Sequence, residues 1–207
     1  MSILLLAATL LGSQASDAAE FFPLTPGTKW HYVESSQMGE TNYVDEAGLP
    51  VQIDGKAAIP VTTTMNGRVI DTRYFRVEGD TAYWVAYGEK KVLNPPQPIL
   101  KVGVRRTTWN FQGDTLFINE STPLSLRCES NHKGRQKVLD LEREVLEVKQ
   151  TGVLGGDRGT QVTGKQVALY ARGVGLFEFT SEQTFGASKS RSRLRLVRFE
   201  PGRTESP

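Results

Sequence analysis

Arg191, Arg193 and Arg195 recur at every second position near the end of the chain, alternating with Leu194 and Leu196. On a strand this spacing puts all three guanidinium groups on one face. There they could form a stripe that binds an acidic polymer, a phosphate or a lipid headgroup. A solvated face whose charges guard a sheet edge explains the same pattern more plainly. Other residues able to do chemistry are sparse. The two histidines, His31 and His132, have no carboxylate or cysteine at metal-ligand spacing. Cys128 and His132 are four apart, which on a strand is roughly 13 Å at 3.3 Å per residue. No G-x-S-x-G elbow occurs, and Gly152-Val153-Leu154-Gly155-Gly156-Asp157 lacks the Lys-Ser/Thr ending of a phosphate loop. Asp140, Glu142, Glu144 and Glu147 are interleaved with Arg143 and Lys149, which describes a self-compensated, solvated face. Glycosidase carboxylates come instead from separate elements flanking a cleft. Asn119-Glu120-Ser121 fits a glycosylation sequon, relevant only in a eukaryotic secretory pathway. The expectation is a protein that is not an enzyme, with no catalytic residue, metal or cofactor. Any small ligand should lie on the concave side of a sheet, against aromatics such as Trp84 and Trp109.

The elements that would position these residues are strands. Segments rich in Val, Ile, Thr, Tyr, Phe and Trp, with a period near two, alternate with turn signals. Strands are expected at 29–34, 59–64, 68–78, 81–87, 105–111, 124–130, 161–170, 176–183 and 190–199. Asn66-Gly67 is the preferred pair for a two-residue type I′ hairpin, and Glu78-Gly79-Asp80 marks a second turn. From Val138 to Val148 the text fits a short amphipathic helix by periodicity and a strand by context; the strand is favoured. Asn94 to Pro98, NPPQP, reads as a crossover loop or a sheet edge, because proline cannot donate to a ladder. Leu24 to Trp30 and Leu100 to Trp109 echo each other, each a leucine, a turn glycine and then a tryptophan, as in two halves of one domain. The fold class is mainly β: a single antiparallel sheet curved into an open or half barrel, or alternatively a β-sandwich, with at most one short helix.

The apolar run Ile3–Leu11 has the length of a signal-peptide core, whereas a helix needs about 20 residues to cross a bilayer. Ser13-Gln14-Ala15 and Ser16-Asp17-Ala18 both fit a small-x-small cleavage pattern, and cleavage is expected near Ala18 or Ala19. This makes 1–19 a signal peptide and 20–207 one domain, periplasmic or secreted, with no transmembrane segment after cleavage. One cysteine allows no internal disulfide, and Cys128 alternates with Leu124 and Leu126 as a core residue would. Formal charge is +2, yet 158–207 hold nine basic and four acidic side chains. That excess is too small, and too poor in recognisable modules, to argue nucleic-acid binding.

The phrase Phe22-Pro23-Leu24-x-x-Gly27-x-x-Trp30-x-Tyr32, together with Leu169-Tyr170-Ala171-Arg172-Gly173-Val174-Gly175-Leu176, resembles a group of uncharacterised secreted bacterial β-rich proteins and lipoproteins. The resemblance implies an extracytoplasmic antiparallel fold, an open or half barrel like that of periplasmic lipoprotein carriers. It brings no catalytic residues. The lipid-bearing cysteine that many members carry after the leader is missing here. The function this suggests is a binding or scaffold module of the bacterial envelope, with a lipid, another hydrophobic ligand or an anionic envelope component as partner. The alternatives are an extracytoplasmic hydrolase whose carboxylates converge only in the fold, or a structural surface component.

Overall fold

The computed structural model describes residues 17–117, 120–155 and 161–202. The leader 1–16, Asn119 of the sequon, and Gly156 and Asp157 lie outside them. One short helix, α1 (Asp17–Phe21), precedes thirteen strands: β1 (Lys29–Ser36), β2 (Gly39–Ala47), β3 (Val51–Ile53), β4 (Lys56–Met65), β5 (Arg68–Glu78), β6 (Thr81–Tyr87), β7 (Lys91–Lys101), β8 (Thr107–Phe117), β9 (Glu120–Val138), β10 (Leu141–Leu154), β11 (Val162–Ala171), β12 (Gly175–Phe185) and β13 (Ser188–Glu200). All pairing is antiparallel, and the sheet order is β7-β6-β5-β4-β2-β1-β13-β12-β11-β10-β9-β8, with β3 a side strand on β4. Two meanders, β1 to β7 and β8 to β13, are therefore joined where β1 pairs β13. Each opens on a strand that carries a tryptophan, Trp30 or Trp109, as the sequence echo suggested.

The sheet curls into a nearly closed barrel, with its free edges β7 and β8 brought side by side. Pro95, Pro96 and Pro98 remove donors from β7, which makes it a poor partner for any strand. Gly113 of β8 lets that edge approach: a Cβ there would sit 3.0 Å from Pro95 Cδ. At one end the seam is stitched by side chains, as the Ser130 hydroxyl donates to Lys101 C=O at 2.6 Å and His132 Nε2 lies 3.0 Å from Gly103 C=O.

β5 and β6 have the bounds expected from the sequence, and Asn66 and Gly67 both take positive φ, as a type I′ turn requires. Val138–Val148 is no helix: β9 ends at Val138, Leu139 turns with φ 50°, and β10 begins at Leu141. Three strands, β2, β3 and β7, escape the sequence reading. β2 (GETNYVDEA) has too few apolar residues to show alternation, β3 spans only three residues, and the prolines of β7 read as a loop or an edge. β7 is the edge.

The helix plugs one end of the barrel. Ala18 and Phe21 are fully buried beside Leu100, Trp109, Cys128 and Leu146. Phe21 meets His132 edge-on at 5.8 Å, and the Arg172 guanidinium lies over its other side at 5.3 Å. Glu20 pairs with Arg172, and its backbone C=O accepts from Gly173 N–H. Processing after Ala18 or Ala19 would cut this helix and remove the buried Ala18 side chain. The two phrases that carry the family resemblance meet here across 144 residues. Trp30 Nε1 donates to Val174 C=O at 2.5 Å, and the Tyr32 hydroxyl to Leu176 C=O at 2.9 Å. Gly175, with φ +96°, leaves room for Trp30 and Pro23, which a Cβ would touch at 3.4 and 3.5 Å.

Candidate functional site

The sheet offers two concave surfaces, one on each face. Alternation along the first meander turns Trp30, Tyr32 and Glu34 of β1, Tyr43 and Asp45 of β2, and Asp71, Arg73 and Phe75 of β5 toward the barrel interior. A bulge in β6 keeps Trp84 opposite Phe75 and places Gln97 of β7 opposite Trp84. From the second meander come Tyr170, Leu176 and Phe179, and from the N-terminal segment Phe22, which stacks edge-on against Phe75 at 5.2 Å and Tyr170 at 6.2 Å. The cavity is half-open and about 520 Å³ in volume, within the range of small-molecule pockets.

Its polar groups form one network. Thr63 donates to Asp45 Oδ1 at 2.5 Å, and Arg73 Nη2 donates to Thr63 at 3.1 Å and to Asp45 Oδ2 at 3.4 Å. Arg73 Nε lies 3.2 Å from Asp71 Oδ2, close enough for an ion pair but too poorly aligned for a hydrogen bond. Burial raises the Asp45 carboxyl above its ordinary value, with Arg73 and then Thr63 pulling the other way. Burial, and next the Asp45 charge, push the Tyr32 hydroxyl well up. Gln97 is 7% exposed, and its Oε1 finds no donor.

The second surface is on the opposite face, toward the far ends of β8 to β13. It is about 1560 Å³, open and polar, lined by Arg127, Lys165, Lys189, Arg191 and Arg193 against Glu178 and Glu182. Close strand approach shapes it: a Cβ on Gly152 would come within 2.4 Å of Ser125 C=O. Arg193 donates to Glu178 at 2.9 Å, which raises its own pKa, and Arg191 pairs with Glu182.

The expected site residues thus separate. Arg191 and Arg193 line the polar surface. Arg195 shares their face, paired across from Glu178 and Val33, but lies off that lining. Trp84 lines the inner cavity, whereas Trp109 does not: it packs in the core with Cys128 beneath α1, its Nε1 unpaired and Lys101 Nζ 6.0 Å from its ring. Burial pushes the Cys128 thiol to about 12, which keeps it protonated and inert. His31 has a partner that spacing could not show, Glu200 on β13 at 2.7 Å. The cavity residues missed by the sequence reading are Glu34, Tyr43, Asp45, Arg73 and Gln97. Polar residues at inward positions of alternating strands were the available signal, and it was lost where β2 and β7 went unread.

No family model matches the chain, and no curated protein matches it. Two solved structures are similar in shape. One is a protein described as a lipoprotein from Parabacteroides distasonis, with 14% identity and TM-score 0.46, covering 89% of this chain and 100% of that one. The other is described as an exported protein with a YmcC-like fold from Bacteroides fragilis, with 11% identity and TM-score 0.45, covering 87% and 99%. Among the described residues no helix is long and apolar enough to cross a membrane.

Proposed function

We propose that the chain is exported and acts outside the cytoplasm as a non-enzymatic binding module whose barrel interior holds one small, largely apolar molecule, such as a lipid or another hydrophobic ligand. The aromatic cavity of about 520 Å³ carries this reading: six or more rings, Trp84 and Phe75 among them, face a shared space that the fold does not fill. Closely packed interiors seldom leave such voids without use. The apolar leader Ile3–Leu11 supports export. Purification of the exported protein followed by mass spectrometry tests both parts. A stoichiometric apolar molecule, lost on Trp84→Ala, is the expected result; a protein that arrives empty and quenches with no apolar probe refutes the cavity. N-terminal sequencing should place the mature start at or before Asp17, with cleavage after Ala15 retaining α1.

A second reading rests on a different observation, the five cations against two carboxylates on the outer concave face. That surface would hold an anionic envelope component. Retention on a heparin column that weakens in Arg191→Ala/Arg193→Ala is the expected behaviour.

A further inference from the structure

We propose that the inner cavity selects an organic cation, an amine with N–H donors on an apolar body, over neutral or anionic molecules of the same size. The inference rests on the cavity being a ligand site. Three observations carry it, and the first is charge. Glu34, Asp45 and Asp71 line the cavity against the single cation Arg73, whose guanidinium is already divided between Asp45 and Asp71. Glu34 is left over. No lysine, arginine or histidine pairs with it among the described residues, and its neighbour is the Tyr43 hydroxyl, a neutral donor. A carboxylate facing a half-enclosed space favours a cation there more than one in open water does.

The second is Gln97. It is more than nine-tenths buried at the cavity wall, and its amide oxygen has no donor. An unmet buried acceptor is costly, and the terminal amide torsion is soft enough to turn that oxygen toward the cavity. A ligand N–H would satisfy it, whereas a carboxylate, having only acceptors, could not. The third is the wall itself. Trp84, Tyr43, Phe75 and Tyr170 present aromatic rings, whose electron-rich faces attract ammonium groups. Arg73, 5.9 Å from the Phe75 ring centre, already uses one of them in this way.

Isothermal titration of the exported protein with tryptamine, tryptophol and indole-3-acetate tests the inference, because the three share a ring system and differ in charge. Tryptamine should bind at least tenfold more tightly than indole-3-acetate, with tryptophol between them. Glu34→Gln should cut the tryptamine affinity several-fold and leave tryptophol unchanged. Gln97→Leu should weaken both donors, and circular dichroism melting of both variants separates lost selectivity from lost folding. If all three bind with equal strength, or the acetate binds best, cation selection is overturned while the ligand cavity stands. If none binds, cation selection is overturned, and the ligand cavity falls with it only if the exported protein also arrives empty.

Discussion

The two concave surfaces are built from the same sheet and are opposite in almost every property. The inner one is aromatic, half-enclosed and acidic, with three carboxylates to one guanidinium; the outer one is open, free of aromatics apart from Phe111, and basic, with five cations to two carboxylates. Alternation lets one strand serve both. On β13 Leu194 lines the inner cavity while Arg191 and Arg193 line the outer face. The lesson concerns where charge costs stability. Inside, the Asp45 and Arg73 side chains are only 16% and 33% exposed, and each depends on the other and on Thr63. Outside, Arg191 and Arg193 are 74% and 53% exposed, and their ion pairs are screened by solvent.

The contrast breaks most severely at the plugged end, where the inner cavity has a solid floor and the outer face has none. Phe21→Ala removes a fully buried ring and should lower unfolding free energy by about 3–5 kcal/mol, read from urea denaturation. A loss below about 1 kcal/mol would mean that α1 is not part of the folded core. Next in size is Arg73→Met, which leaves Asp45 and Asp71 facing each other without their cation. Breaking such a pair costs about 3 kcal/mol when fully buried, and the partial exposure of Arg73 should reduce that to about 1–2 kcal/mol.

Asp45 sharpens the same point through pH. Its folded pKa lies above its unfolded one because burial outweighs Arg73. The stabilisation it contributes is therefore fully present below the unfolded value, near 3.9, and is lost as pH rises through the folded pKa. Asp45→Asn keeps an acceptor for Thr63 and removes this titration. The melting temperature of the variant relative to the parent should thus rise with pH from about 4 upward and then level off. A difference that is flat across this range would show that Asp45 is not desolvated. The smallest effect on stability belongs to the outer face. Arg191→Ala/Arg193→Ala should shift unfolding by less than about 1 kcal/mol per ion pair and should leave binding of the indole probes unchanged. A loss of cavity binding in that variant would mean that the two surfaces are coupled through β13.

Much of the scaffold was legible. Arg68–Glu78 and Thr81–Tyr87 are rich in β-branched and aromatic residues and are bounded by Asn66-Gly67, Glu78-Gly79-Asp80 and Gly88, so composition and turn chemistry agree on their ends. Cys128 as a core residue followed from its alternation with Leu124 and Leu126. β2 was lost because Tyr43 and Asp45 point into a cavity that accepts polar groups, so its inward face does not look apolar. Of the two candidate tryptophans, Trp84 lines the inner cavity and Trp109 packs in the core. Both are tryptophans on strands, and which one faces free space depends on how β8 sits under α1. Small residues that suit a peptidase, such as Ala18, also suit a tightly packed helix, and only the fold shows Ala18 buried.

What the sequence determined by itself is the antiparallel β architecture, with its paired glycine turns, its proline-blunted edge and its alternating faces, because strand period and turn geometry are local properties of the backbone. Which charges share a space was decided only by closure of the barrel. Glu34, Arg73 and Gln97 come from three strands of the first meander and meet Tyr170 and Phe179 of the second only because β1 pairs β13 and the sheet curls until β7 faces β8. That curvature follows from twist summed over twelve paired strands, and no single window of the chain contains it.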